Sequence, residues 1–275
     1  MKVGSIQSFV ALVVLTGFGW TASSQCCLAA AQKPPAPTVR GKVWVRPVDG
    51  VRMVAVPAGQ FIMGSTESDI EKPQHKVTLD GYWIDETPVT VAQYRKYCHA
   101  TGTKMPRPPA WGWKEDHPMV NVSWDDAKAY ATWAGAELPT EAQWEKAARG
   151  TDGRKFPWGD KFDRGRLQCS SATYGDAGGP ATVMSHPTGK SPYGALDMAG
   201  NLWQWCADWY GPSYYEGSPD QNPTGPPSGQ NRMLRGGSWF NVNVNFFRCA
   251  FRFGGSPADT GSIVGFRCVV RAGSH

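Results

Sequence analysis

Beyond residue 31 the chain has no long apolar run, which leaves its mature part without a candidate membrane-spanning helix. No C-x-x-C pair occurs, so neither a zinc ribbon nor a thioredoxin-like redox motif has its ligands. The histidines, His75, His99, His117, His186 and His275, are scattered, with neither H-x-x-x-H nor facial-triad spacing. Charge is sparse at 19% of residues and net +5, and no basic run or helical stripe concentrates it, so nucleic acid is not an expected partner. There is no glycine loop opening a helix, as a nucleotide site would need, and no internal repeat.

What the chain does have is rings and turns. Its 275 residues include 13 tryptophans, 32 glycines and 22 prolines, a mixture that predicts a loop-rich fold stiffened by large side chains rather than by long regular elements. Residues 1–31 read as a secretory signal: Lys2 supplies the positive end, Phe9 to Ala22 the apolar core, and Leu28-Ala29-Ala30-Ala31 the small-residue cleavage region. The expected location is therefore periplasmic or secreted. A lipid anchor at Cys26 or Cys27 is the less favoured alternative, because Gln25 stands where a lipoprotein signal places a small residue. Residues 32–49, with KPPAPT, suit an extended linker, and the folded domain is expected over 50–272. Export favours disulfides among Cys98, Cys169, Cys206, Cys249 and Cys268, an odd set that leaves one thiol over.

Val51–Gly64 and His75–Ile84 are rich in β-branched and aromatic residues broken by turn signals, and predict short antiparallel strands. Three helices follow, each with its own start and stop. Thr90 with Gln93 opens the first, Gly102 ends it, and Ala92, Tyr94, Tyr97 and Cys98 form its inner face. Ser123 opens the second, with Asp125 and Asp126 in the positive first turn, Ala127, Tyr130, Ala131 and Ala134 inside, and Gly135 beyond. Thr140 with Gln143 opens the third, with Trp144, Ala147 and Ala148 inside and Gly150 closing. After Gly150 no helical period persists; the strand signals lie near Leu202–Trp205, Met233–Arg235, Phe246–Arg252 and Gly265–Val270. Trp203, Trp205 and Trp209 alternate as on one face of a strand, suited to core packing or to ligand stacking. Asp80, Asp85 and Glu86 could work as paired carboxylates, although a turn and a strand end explain them more simply.

The stretch from Arg232 to Cys268 reads as the floor of a site. Glycine lets backbone approach a ligand, and arginine offers planar donors. Its candidate ligand-facing residues are Arg235, Ser238, Trp239, Asn241, Asn243, Asn245, Arg248, Arg252 and Arg267.

The ordered blocks PAGQFIMGS, HKVTLDGYWIDETPVTVAQYRKYC, PMVNVSWDDAKAYATWAGAELPTEAQWEKAARG, FPWGD, SPYGALDMAGNLWQW, RGGSW and GFRC resemble the formylglycine-generating enzyme family, the sulfatase-modifying-factor domain. The resemblance covers about residues 50–272 and implies an α+β variant of the C-type-lectin fold, loop-rich, with three short helices and small antiparallel sheets. It also implies copper chemistry on two cysteines after GGS. Here that segment reads WFNVNVNFFR, with Asn241 at the first cysteine position and a shorter chain around the second. Cu(I) needs soft thiolate ligands, so copper is not expected. A family calcium site would involve Asn201, Leu202 and Gln204, the last in place of a glutamate, so calcium remains an open cofactor. The resemblance implies structural cysteines at Cys249 and Cys268, but their partners in relatives fall at Ala131 and Ala148; Cys98 could instead pair with Cys268, leaving Cys249 to Cys206 or Cys169, and a free buried thiol is the other reading of these positions.

Three functions fit this resemblance. The first is an exported binding module without redox chemistry, whose partner is a protein, a peptide or a small ligand. The second is a divergent periplasmic oxidase or maturation enzyme, like the pyoverdine-maturation members. The third is a receptor diversified between RGGSW and GFR, like retroelement variable proteins.

Overall fold

Three capping boxes set the three helices. Thr90 opens α1 (Val91–Thr101), Ser123 opens α2 (Trp124–Trp133) and Thr140 opens α3 (Glu141–Arg149), each side-chain oxygen accepting the backbone N–H three residues on. Gln93, Asp126 and Gln143 return the bond to the cap's own N–H at 2.8, 3.0 and 2.9 Å. Asp126, expected only as a first-turn charge, is thus also the box partner. Helix α1 stops at Gly102 in the left-handed region, φ 75°. The inner faces are as expected except at Ala92, which is exposed, because Val91, Tyr94 and Cys98 define the helical stripe and position 92 lies off it.

The computed structural model describes residues 43–273. The expected signal segment and most of the expected linker lie outside these residues. The described fold begins inside the stretch assigned to the linker: β1 (Val43–Val45) pairs with β2 (Arg52–Val56), and Arg46 and Asp49 are buried beneath it. Antiparallel pairing continues through β5 (Tyr82–Asp85) to β10 (Val269–Arg271), in the order β1-β2-β5-β10. Strands β3 (Gly59–Met63) and β4 (His75–Leu79) form a hairpin. The third sheet has the order β8-β7-β6-β9 from β8 (Phe253–Gly255), β7 (Arg232–Arg235), β6 (Trp203–Trp209) and β9 (Val264–Phe266), with β6 and β9 parallel and the other pairs antiparallel. Among the described residues no helix is long and apolar enough to cross a membrane.

Two strand expectations change. Phe246–Arg252 is not a strand: the Asn243 side chain accepts the N–H of Asn245 at 3.0 Å and turns Val244–Phe247 into a 3₁₀ turn. Gly265–Val270 splits into β9 and β10, which belong to different sheets, with Arg267 and Cys268 at the crossing.

The core has two main parts. Helices α1 and α2 pack Tyr94, Tyr130 and neighbouring residues against Trp203, Trp205 and Phe266 of the third sheet, with Tyr94 and Tyr130 stacked at 5.8 Å. Helix α3 packs Trp144 and Ala147 against Val56, Phe61 and Ile84. The tryptophans of β6 are therefore core: Trp203 and Trp205 are buried, and Trp209 is half-buried against Arg232, whose guanidinium lies 3.4 Å from one ring and 3.6 Å from Trp124.

Candidate functional site

The arginines of the floor point inward. Arg235, on β7, reaches Glu141 at 3.0 Å and also holds Glu145 and the carbonyl of Cys249. Arg252 grips both oxygens of Glu141, at 2.7 and 3.0 Å, with its guanidinium 3.9 Å from the Tyr215 ring. Arg248 forms a two-pronged pair with Glu71 at 2.6 and 2.7 Å. Arg267 donates to Gln204 at 2.6 Å and to the carbonyls of Asp85 and Leu196. All four are buried, so as ligand-facing groups they are corrected: Arg235, Arg248 and Arg252 tie the C-terminal segment to α3 and to the 69–71 turn, and Arg267 ties it to β6 and the end of β5. The carboxylates that neutralise them were absent from the sequence reading, because Glu141 and Glu145 look like ordinary polar positions of a short helix. Burial works against the charge of Glu141, but Arg252 and Arg235 outweigh it and hold its carboxyl below the usual range.

Asp208 is the counter-example on the same helix end. Its Oδ2 accepts the Glu141 N–H at 2.8 Å, but burial, reinforced by the Glu141 charge, pushes its pKa from 3.8 up to about 8. Between those values the folded state binds a proton that the unfolded chain has released, so this group's contribution to stability falls as pH rises through that window. Asp208→Asn keeps an acceptor and should flatten the loss; urea denaturation at steps from acid to mildly alkaline pH will show a shallower decline for the variant.

Ser238 and Asn241 also face inward. The Asn241 Oδ1 accepts both the N–H and the hydroxyl of Ser238, at 2.9 and 3.0 Å, closing the turn where the family's first thiol would stand. The GGS backbone can make that turn because Gly236 and Gly237 sit at φ 100° and 73°. No thiol lies between Trp239 and Arg248, and Cys249, the next along the chain, is fully buried with its pKa pushed by that burial to about 12. These residues do not fit copper. They do not fit calcium either. The Asn201 amide is closed on both backbone groups of Ala181, at 3.0 and 3.3 Å. The Gln204 oxygen accepts Trp144 and Arg267, while its Nε2 donates to the Asp197 carbonyl. Leu202 offers only backbone, and among the described residues no group of three or more His, Cys, Asp or Glu could hold an ion.

The remaining expectations resolve similarly. Asp80 bonds Asn222 at 3.0 Å, Asp85 pairs with Arg46 at 2.9 Å and Glu86 with Arg52 at 2.7 Å, so the three carboxylates serve three separate structural contacts. His75 packs edge-on to Tyr215. Cys98, Cys169, Cys206, Cys249 and Cys268 are all free thiols, so the disulfide pairings are not formed.

What stays outward is aromatic. Phe240 and Tyr174 are 38% and 52% exposed and lie 5.7 Å apart. Trp239 stands at right angles to both Phe240 and Trp111 and donates to the Ser262 carbonyl at 3.1 Å. Next to Ser262, a groove of about 480 Å³ opens, walled by Trp203, Phe253 and Ile263 over Leu234 and Val264, with Asp259 at its edge. Phe253 is 47% exposed, and its ring lies 5.3 Å from Trp203. Asn243 and Asn245 are exposed nearby in the chain. Of the strip, Phe240, Trp239 and Phe253 lie within the C-terminal segment marked by sequence, and Tyr174 and Trp203 outside it; Trp239 is a named candidate, Phe240 and Phe253 are not.

A second cleft, about 1210 Å³, lies between the β2–β3 and β4–β5 turns, the start of α3 and the chain end, lined by Tyr82, Gln143, Tyr193 and Arg271. It shares no lining residue with the groove and went unmarked because turns distant in sequence build it.

Comparison with known proteins agrees with this architecture. Residues 39–272 match the model of the sulfatase-modifying factor enzyme 1-like domain. The formylglycine-generating enzyme of Streptomyces coelicolor is 34% identical over 301 aligned positions, spanning 88% of this chain and 96% of that enzyme. Among solved structures, PvdO from Pseudomonas aeruginosa superposes with a TM-score of 0.75 at 26% identity, over 86% of this chain and all of PvdO. Treponema denticola variable protein 1 superposes at 0.67 and 24% identity, over 84% of this chain and 98% of that one, and so shares the fold. With a family model matching nearly the whole described domain and a relative of this identity matched end to end, the chain belongs to the sulfatase-modifying factor enzyme 1-like family.

Proposed function

We propose that this protein is an exported binding module of its family, without thiolate-copper oxidation, and that it takes a protein, peptide or small ligand on the aromatic strip from Tyr174 through Phe240 and Trp239 to the Trp203–Phe253 groove. The observation that carries the reading is the inversion of the floor: Arg235, Arg248 and Arg252 are paired with carboxylates inside and Arg267 is bonded inside, while the rings of Tyr174, Phe240 and Phe253 are left exposed. Contiguous exposed aromatics beside a concave apolar groove are what a binding surface presents. The amide of Asn241 at the thiol position speaks against family-type oxygen chemistry.

The test has two arms. Incubated with Cu(I), oxygen and a Cys-x-Pro-x-Arg peptide, the purified protein is expected to yield no aldehyde-bearing peptide by mass spectrometry; an aldehyde product overturns the reading. Phe240→Ser with Phe253→Ser should leave the thermal transition unchanged, since both rings are half-exposed, and reduce capture of an exported partner. A divergent oxidase is the second reading, favoured by the end-to-end match to a formylglycine-generating enzyme; oxygen uptake with an exported substrate would select it. A diversified receptor has only the shared fold behind it.

A further inference from the structure

Resting on the reading of the Trp203–Phe253 groove as a ligand site, we infer that the groove takes a primary ammonium group, the side chain of a lysine presented by a peptide. Three features converge. Asp259 is the only ionisable residue among those lining the groove; it is exposed, and among the described residues its side chain has no ion-pair partner. The arginines that the sequence crowds around this segment do not cancel it, because Arg235, Arg248 and Arg252 are buried against Glu141, Glu145 and Glu71, and Arg267 is buried against Gln204 and backbone carbonyls. Asp259 is thus the one carboxylate lining the groove, and Arg232, opposite the lining residue Gly255, is stacked between Trp124 and Trp209.

The walls suit a cation as well as an apolar stem. Phe253, packed on the buried Trp203 at 5.3 Å, leaves its outer ring face open, and a ring face attracts a cation through its quadrupole. Leu234 and Val264 below them can cover the methylene stem, and the hydroxyls of Ser256 and Thr260 add acceptors for the remaining N–H bonds. The volume of about 480 Å³ is ample for one long side chain and part of its backbone. The chain already uses tryptophan this way, with Arg232 held between Trp124 and Trp209.

The experiment titrates the isotope-labelled full chain with Ac-Ala-Lys-Ala-NH₂ and with the same peptide acetylated on the lysine Nε, following backbone amide shifts of Phe253 to Val264 and the Trp203 indole. The charged peptide is expected to move these resonances and to bind about tenfold more tightly than the neutral one, a difference of ~1.4 kcal/mol. Asp259→Asn should abolish the difference without altering the spectrum elsewhere, and Phe253→Ala should weaken the charged peptide. If both peptides move the groove resonances equally, or Asp259→Asn changes nothing, the ammonium assignment is wrong while the groove stands as a ligand site. If neither peptide moves them, in a protein whose spectrum shows it folded, the groove reading and the ammonium assignment both fail.

Discussion

Arg235→Ala is expected to destabilise the domain by about 3–5 kcal/mol, the cost of taking the shared cation out of a buried charge network. Arg235 is fully buried and holds Glu141 on one nitrogen and Glu145 on the other, while also donating to the carbonyls of Ala250 and Cys249. Removing it takes one of two cations from each acid, leaving Glu141 to Arg252 and Glu145 to Arg149, and deprives two carbonyls of the loop that precedes β8 of their donor. For a domain of this size the loss corresponds to a fall in Tm on the order of 10 °C. Arg235→Lys should recover little, because a single ammonium cannot reproduce a planar fork that spans two carboxylates. Thermal and urea denaturation of both variants measure this; an alanine variant within 1 kcal/mol of the parent, the range of an exposed pair, would falsify the view that this network holds the C-terminal segment.

Trp205→Ala should cost a similar amount, about 3–5 kcal/mol, through lost burial and the cavity left behind. Trp205 is fully buried in the centre of the third sheet, beside Leu234 in register and close to Gly255, whose missing Cβ leaves room for the indole. Its Nε1–H donates to the Val122 carbonyl at 3.2 Å, which ties the sheet to the turn that opens α2. Trp205→Phe keeps most of the apolar volume but leaves that carbonyl unsatisfied, and should fall between alanine and the parent. Chemical denaturation distinguishes the three proteins. An alanine variant as stable as the phenylalanine one would place the indole's contribution in the hydrogen bond rather than in packing.

These two side chains mark how far sequence could be read. Trp205 announced itself: tryptophans at alternate positions in an apolar stretch belong to a strand, and a strand with such residues needs a core. The helices announced themselves too, because Thr90, Ser123 and Thr140 carry cap chemistry that acts within three residues of the chain. Arg235 did not. A guanidinium beside glycines fits a site for an anion as well as an internal tie, and what separates the two is whether carboxylates lie within reach. Glu141 and Glu145 lie 94 and 90 residues away in sequence, so only folding reveals them. The same holds for Gln204, which counted as a weakened calcium ligand until Trp144 and Arg267 were found on its oxygen. The free thiols follow this logic as well: five cysteines and an expected export signal favour bridges, but each thiol is placed by the packing around it.

The sequence alone determined the local and the collective: the caps, the ring-rich core, the family, and the absence of cysteine between Trp239 and Arg248. Each depends on neighbours in the chain or on many residues agreeing. The tertiary structure decided direction. Whether Arg248 meets a ligand or Glu71, and whether Phe253 lies inside or out, is set by contacts across long separations, where burying a charge demands a partner and a one-turn change in backbone path reverses a face.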